Sequence, residues 1–279
     1  MALAFIPSDA ALLALQAGVV AAPRVAPGLN SLDRLRSRGW ALVPLASIVL
    51  VIFAIRYASD TATWLTYLAL VAVPLLAAVA LGWASRGARA GYALVVVPLF
   101  VLSWAAPHSL AGQGAGALLS ALSCVTLGVL LAAVAPGGWL KLGIVAMAAA
   151  DAWLVASDLL QAPNNALVAA HPGAGLPQLQ SENFGSVTMG YGDLFVAGVF
   201  GAVLAADRTL QRSGALVTLA LAATFDLLFL FVDELPATVP VALALVVLEA
   251  WGWRRRRSAS PNAASRRSMP AGATPRRAT

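Results

Sequence analysis

Residues 184–206 read FGSVTMGYGDLFVAGVFGAVLAA, an almost uninterrupted apolar run that contains Gly190-Tyr191-Gly192-Asp193. A membrane-spanning helix needs roughly 20 such residues, so this run is long enough to cross a bilayer. One carboxylate, Asp193, falls near its middle, where a charge costs at least about 2.5 kcal/mol to insert. We therefore expect Asp193 to face protein or a water-filled cavity and to belong to a functional site.

The composition of the whole chain is that of a membrane protein. Of its 279 residues 60% are hydrophobic and 11% are charged, and the mean hydropathy is +0.83. The net charge of +6 comes from a basic run after Trp253 and from short connections between apolar runs. That distribution is typical of membrane topology, so we expect no nucleic-acid partner. The single cysteine, Cys124, excludes a disulfide framework and a thiolate metal cluster.

Eight apolar runs are long enough to span a membrane as helices. Residues 2–22 are a ninth candidate, interrupted by Pro7, Ser8 and Asp9, which either spans the membrane or lies in its interface. We therefore predict an all-α fold, a polytopic membrane helix bundle with eight clear transmembrane helices and a possible N-terminal ninth. The eight runs are residues 39–58, 62–84, 90–106, 114–135, 139–160, 184–206, 214–232 and 236–253.

These runs divide the chain into four parts. Residues 1–38 hold the possible first helix and a basic loop, and residues 39–136 hold the N-terminal transmembrane helices. Residues 137–253 hold the helices that carry the candidate site. The tail, residues 254–279, is basic and lacks apolar periodicity, so we expect it to be disordered.

Charge asymmetry between the connections predicts the orientation. Nearly all basic residues fall on one side of an eight-helix weave, with Arg56 as the exception. The positive-inside rule places that side, and the C-terminus, in the cytoplasm. We expect an integral multi-pass protein of a bacterial plasma membrane. The basic residues on this side are Arg24, Arg34, Arg36, Arg38, Arg86, Arg89, Lys141, Arg208, Arg212 and the C-terminal arginines.

A second carboxylate, Asp151, lies one predicted span upstream of Asp193. At 1.5 Å per residue, Asp151 is roughly 16 Å from the cytoplasmic end of its helix, and Asp193 is roughly 14 Å from the opposite end of the next. Antiparallel neighbours pack about 8–10 Å apart, so we expect the carboxylates to meet. Such a pair shares a proton, so one member can activate a water while the other protonates a carbonyl. Structural polar contacts or a proton path are the alternatives.

Two further aspartates are weaker candidates. Asp226 lies well inside its run, and the simplest interpretation is a contact within the helix bundle. Asp158 lies two helical turns beyond Asp151 on a similar face, nearer the outer surface.

Glycines and prolines near the aspartates predict local departures from helix. Gly190 and Gly192 each lower helix propensity by about 1 kcal/mol relative to Ala. We expect an unwound backbone there that accepts an extended substrate by strand addition, with ordinary small-residue packing as the alternative. Pro236 and Pro240, at the start of the last run, predict an extended segment. A helix that begins with proline in its first turn is the alternative.

Taken in order, these elements resemble the presenilin and signal peptide peptidase family of intramembrane aspartyl proteases. That family has a Tyr-Asp motif in one helix, a Gly-x-Gly-Asp motif in the next and a Pro-Ala-Leu motif at the start of the last. Here Ala150-Asp151 stands at the first position, Gly190-Tyr191-Gly192-Asp193 fills the second, and Pro236-Ala237-Thr238 stands at the third. The resemblance covers residues 139–253 and departs from the family pattern at Ala150 and Thr238.

The resemblance implies a presenilin-like fold and an aspartic endopeptidase that cleaves transmembrane segments within the lipid bilayer. Because the C-terminus is predicted to be cytoplasmic, as in signal peptide peptidases, we expect signal-peptide remnants or type II anchors as substrates. No residues have the spacing of a metal or nucleotide site, so we expect no metal and no cofactor, and the oligomeric state stays open. The resemblance assigns catalysis to Asp151 and Asp193, and substrate contacts to Gly190, Tyr191, Gly192, Pro236, Ala237, Thr238 and Pro240.

Three other interpretations remain open. Prepilin peptidases also carry a Gly-x-Gly-Asp motif, and Asp158 followed by Pro163-Asn164 is similar to their first aspartate region. That family places more chain between its aspartates and has a lysine soon after the second, where this chain has Leu194-Phe195. A transporter or channel could use the intramembrane aspartates as a proton or cation relay, although the sequence lacks an obvious inverted repeat. An inactive member of the protease family is the third.

Overall fold

The computed structural model describes residues 2–25, 34–46, 61–157, 165–166, 169–170, 172–230 and 235–259. This part of the chain is mostly helical, as the sequence predicts. The chain divides into two units, Met1–Leu245 and Val246–Thr279. The described residues of the second unit, 246–259, are helical.

The longer helices follow the apolar runs along the chain. Two of them have non-α extensions, since a π-helical turn, Ala80–Ala84, follows α2 and a 3-10 helix, Ala90–Val95, precedes α3. A further 3-10 helix, Asp226–Leu230, follows α7. The helices are α1 (Ala2–Ala21), α2 (Thr61–Val79), α3 (Val96–Ala105), α4 (Leu110–Val134), α5 (Gly137–Ala156), α6 (Tyr191–Leu204), α7 (Arg208–Phe225) and α8 (Val239–Ala259).

Three of the described helices are long and apolar enough to cross a membrane: Thr61–Ala84, Leu110–Val134 and Gly137–Ala156. They correspond to three of the predicted spans. Shorter apolar helices cover Pro7–Ala21, Ala90–Ala105 and Tyr191–Leu204.

The predicted span at residues 39–58 lies largely outside the described residues. Its described start consists of a 3-10 helix, Arg38–Leu42, and helical residues 43–46.

The prediction of one continuous helix over residues 184–206 is wrong. Ser181–Phe184 (β1) pairs antiparallel with Val187–Gly190 (β2), and α6 begins only at Tyr191. Gly185 stands in the turn of this hairpin with a φ of +63°, a conformation that favours glycine. The β-branched residues at the start of β2 suit a strand. Asp193 is therefore the third residue of a 14-residue helix rather than a mid-helix residue.

Two expectations for the C-terminal region also change. Residues 236–238 precede α8 in a turn, and Pro240 is the second residue of that helix, so the predicted extended segment is wrong. Proline is tolerated in a first helical turn because the N–H that it lacks would have no helical partner. The helix continues to Ala259, so disorder from residue 254 onward was predicted too early. Residues 260–279 lie outside the described part of the chain.

The possible ninth segment is helical, with Pro7 inside α1. Its residues Leu12, Gln16 and Val20 are buried, and α1 packs against α4, α6 and α7. This packing favours a place within the bundle over one in the membrane interface.

α4 is the element around which the first unit packs, since it contacts α1, α2, α3, α6 and β1. Its contact with α6 is especially close: a Cβ at Gly198 would clash with the carbonyl oxygen of Cys124, and one at Gly128 would clash with the carbonyl of Gly198. Small residues let membrane helices approach to this distance. The contact fixes the position of α6, and with it the position of Asp193.

Candidate functional site

Asp193 lies where β2 turns into α6. Gly190 is the N-cap residue, with extended backbone angles (φ −75°, ψ 144°), and its N–H donates to Oδ2 of Asp193 at 3.1 Å. This is the half of a capping box in which an acidic residue at the third helical position satisfies the N-cap N–H. The bond holds the Asp193 carboxylate beside the end of the hairpin.

The two glycines of this motif have different environments. A Cβ at Gly190 would lie 3.1 Å from Oδ2 of Asp193, whereas a Cβ at Gly192 would meet no atom within 4 Å. Neither glycine has a positive φ. Gly190 therefore leaves room for the carboxylate, and Gly192 leaves open space above the first turn of α6.

Tyr191 fastens the same turn to α4. Its hydroxyl lies 2.6 Å from Oγ of Ser123. Because Ser123 Oγ itself donates to the carbonyl of Ser120 at 2.7 Å, the tyrosine is the donor of the first bond. The thiol of Cys124 points to the carbonyl of Tyr191, at 3.8 Å. The motif is thus anchored to α4 through Tyr191, the residue between its two glycines.

Asp151 lies five residues before the end of α5, nearer the helix end than the sequence predicts. Oγ1 of Thr238 donates to its Oδ2 at 2.6 Å, and the backbone N–H of Thr238 is a second donor to the same carboxylate. Thr238 is buried, with 4% of its surface exposed. Thr238, the residue that departs from the Pro-Ala-Leu pattern, is therefore hydrogen-bonded directly to Asp151.

The structure brings Asp151 and Asp193 close enough to interact electrostatically. α5 packs against α6, and the two aspartates lie near the end of one helix and the start of the next. Both carboxylates therefore flank the connection between α5 and α6, and neither lies at mid-helix, contrary to the sequence prediction.

One supporting residue, Gln16, was missed at the sequence level. Its side-chain Nε2 donates to the carbonyl of Ala237 at 3.0 Å, across a sequence separation of 221 residues. Gln16 is fully buried in α1, and its Oε1 has no hydrogen-bond partner in the described part of the chain. The available signal was an amide in the middle of an apolar segment. Gln16 ties the turn at residues 236–238 to the N-terminal helix.

Of the two rival aspartates, the structure describes Asp226, which lies away from the site. Asp226 stands at the end of α7, where its carboxyl group lies near that of Asp9 in α1. The structure does not describe Asp158. Asp226 therefore belongs to a second carboxyl pair and is not part of the group formed by Asp151, Asp193 and Thr238.

Within the described ranges, no group of three or more His, Cys, Asp or Glu side chains could hold a metal ion. Comparisons of the chain with protein-family models, with curated proteins and with solved structures found no match.

Proposed function

We propose that this chain is an intramembrane aspartyl endopeptidase that hydrolyses peptide bonds within transmembrane segments. The observation that carries the proposal is the convergence of three separated motifs on one place. Asp193 interacts with Asp151, and Thr238 is hydrogen-bonded to Asp151. Two interacting carboxylates with a polar donor at their side form the kind of group that activates water in aspartic proteases.

The reaction needs one proton shared between the two carboxyl groups. The ionised carboxylate takes a proton from a water molecule while the water oxygen attacks the peptide carbonyl carbon. The protonated carboxyl group donates its proton to the carbonyl oxygen. Collapse of the tetrahedral species breaks the C–N bond: the leaving nitrogen takes the proton that came from water, and a hydroxyl proton of the tetrahedral species returns to the other carboxylate, which restores the shared proton. Because Thr238 donates a hydrogen bond to Oδ2 of Asp151, we assign the contact with water to Oδ1 of Asp151.

The hairpin next to Asp193 offers a place for the substrate. A helical peptide bond is shielded, so a transmembrane substrate must become extended before attack. β2 ends at Gly190, three residues before Asp193, and in the described two-stranded sheet only β1 is its neighbour. A substrate strand added to the other edge of β2 would run past the carboxylates.

We further propose that the chain has eight transmembrane helices, with α1 as a ninth, in a presenilin-like arrangement. The C-terminus would be cytoplasmic in a bacterial plasma membrane, because the basic connections lie on its side. This orientation favours substrates with cytoplasmic N-termini, such as signal-peptide remnants and type II anchors. Cleavage of a type I single-span reporter without cleavage of the matching type II reporter would contradict that preference.

The proposed activity is tested by co-expression of the chain with a tagged single-span reporter. We expect a cleaved fragment with the wild type, and a loss of at least about 100-fold in Asp151→Asn and in Asp193→Asn, since each removes an acid–base group. Asp226→Asn is the matched control, because it removes an intramembrane carboxylate outside the site. Equal cleavage by all four proteins would contradict the assignment.

A proton relay is the second candidate function, and the pairing of Asp9 with Asp226 favours it. Paired carboxyl groups within membrane helices are typical of proton paths. In that case Asp226→Asn would abolish proton uptake by reconstituted vesicles. The wild type and all variants would leave the reporter uncleaved.

A further inference from the structure

A cavity of about 460 Å³ opens at the end of the first unit where α1 and α2 finish and α7 begins, and Arg24, Arg86, Gly87 and Arg208 line it. It lies apart from the aspartates, on the side that carries the basic connections. Its volume falls within the roughly 300–1,000 Å³ of small-ligand pockets.

The backbone builds the floor of this cavity. Pro23 and Ser85 form an antiparallel bridge, in which the N–H of Arg24 donates to Ala84 and the N–H of Arg86 donates to Ala22, at 3.1 and 2.8 Å. Gly87 continues the turn with a φ of +76°, which favours glycine. Arg24 and Arg86 therefore lie on adjacent chain segments that are joined by backbone hydrogen bonds.

Arg86 is held in one orientation. Its Nε donates to Oε1 of Gln211, and its Nη2 donates to the carbonyl of Ala205, both at 2.7 Å. The Gln211 amide is itself fixed, because it is buried and its Nε2 lies 2.9–3.1 Å from three carbonyl oxygens, those of Val20, Pro23 and Gly201. Oε1 can then face only the guanidinium group. This arrangement leaves Nη1 of Arg86 for another acceptor.

The positive charges at the cavity are not neutralised by the described protein. The Nε of Arg24 is buried without a hydrogen-bond partner, and no ion pair with a carboxylate is found for Arg24, Arg86 or Arg208 in the described residues. The adjacent acidic residue, Asp207, uses Oδ1 to cap α7 by accepting from two backbone N–H groups. Three guanidinium groups around one space repel one another unless an anion lies between them.

We infer that this cavity binds a phosphate group at the basic face of the protein, independently of the proposed proteolysis. Guanidinium groups bind phosphate oxygens through paired, charge-assisted hydrogen bonds. Basic pockets between membrane helices on the cytoplasmic side are suited to anionic lipid headgroups. The phosphate can belong to such a headgroup or be a free anion.

The test uses the full-length protein in neutral detergent, with thermal unfolding followed by tryptophan fluorescence. The protein is titrated with phosphatidic acid, with phosphatidylcholine and with inorganic phosphate, and sodium chloride at equal ionic strength is the control for inorganic phosphate. Each titration gives the increase in Tm and the apparent affinity. We expect phosphatidic acid or phosphate to raise Tm, and phosphatidylcholine, whose phosphate is paired with choline, not to do so. A shift with phosphate alone identifies a free anion, and a shift with phosphatidic acid alone identifies a headgroup.

Arg24→Gln and Arg208→Gln should each weaken the apparent affinity at least about tenfold, since each removes charge-assisted hydrogen bonds. Arg208 is exposed, so its replacement leaves the packing intact. Arg212→Gln is the matched control, because it removes the same charge from the exposed surface one turn further along α7. The inference is overturned if neither ligand raises Tm, or if Arg212→Gln weakens binding as much as the two cavity variants.

Discussion

Replacement of Thr238 by valine should disable the site without unfolding the protein. Valine keeps the shape of the side chain and removes the hydroxyl that donates to Asp151 at 2.6 Å. A hydrogen bond to a charged group contributes about 1.5–3 kcal/mol. If the bond orients Asp151 in the transition state, its loss lowers kcat/KM by about 10- to 150-fold, at about 1.4 kcal/mol per factor of ten.

The assay is the initial rate of cleavage of a single-span reporter by purified protein in liposomes. Thr238→Ser is the matched variant, because it retains the hydroxyl and loses only a methyl group, and we expect its kcat/KM to stay within about threefold of the wild type. Tm is measured for both variants to separate loss of activity from loss of fold. Wild-type activity in Thr238→Val would refute the positioning role, and equal impairment of Thr238→Val and Thr238→Ser would contradict a role that belongs to the hydroxyl alone.

Three further substitutions test the packing of the second motif and of α6. Gly190→Ala should lower kcat/KM several-fold, because its Cβ would press on the Asp193 carboxylate, whereas Gly192→Ala should keep both activity and Tm. Equal effects of these two substitutions in the same liposome assay would contradict the difference between the two glycine environments. Gly198→Ala should cost about 1–3 kcal/mol of stability, because its Cβ overlaps the carbonyl of Cys124. An unchanged Tm in detergent would show that α4 and α6 separate without cost.

The long helices were predictable from sequence because length and apolarity alone define a membrane span. Residues 61–84, 110–134 and 137–156 illustrate this agreement. The hairpin before α6 was not predictable in the same way. Its first strand, Ser181–Phe184, is mostly polar and precedes the apolar run. Its second strand, Val187–Gly190, passes directly into α6 at Tyr191, so the apolar run by itself does not show where the strand ends and the helix begins.

The composition of the site was more predictable than its supports. Asp151 and Asp193 stood out because a carboxylate in an apolar run is costly. Thr238, in contrast, was expected to contact the substrate and was a departure from the family pattern, and its role as a donor to Asp151 emerges from a contact across 87 residues. Gln16 is still more remote from its partner in sequence. Such contacts depend on how the helices are packed, which no local pattern specifies.

The most direct test of the account is the mass of the fragments released from a reporter by the purified protein in liposomes. We predict new termini at a bond inside the apolar segment with the wild type and with Asp226→Asn. The two cleavage fragments should not form with Asp151→Asn or with Asp193→Asn, although both variants remain folded. Fragments of unchanged mass and yield from either of these two variants would contradict the claim that the Asp151 and Asp193 carboxylates act together.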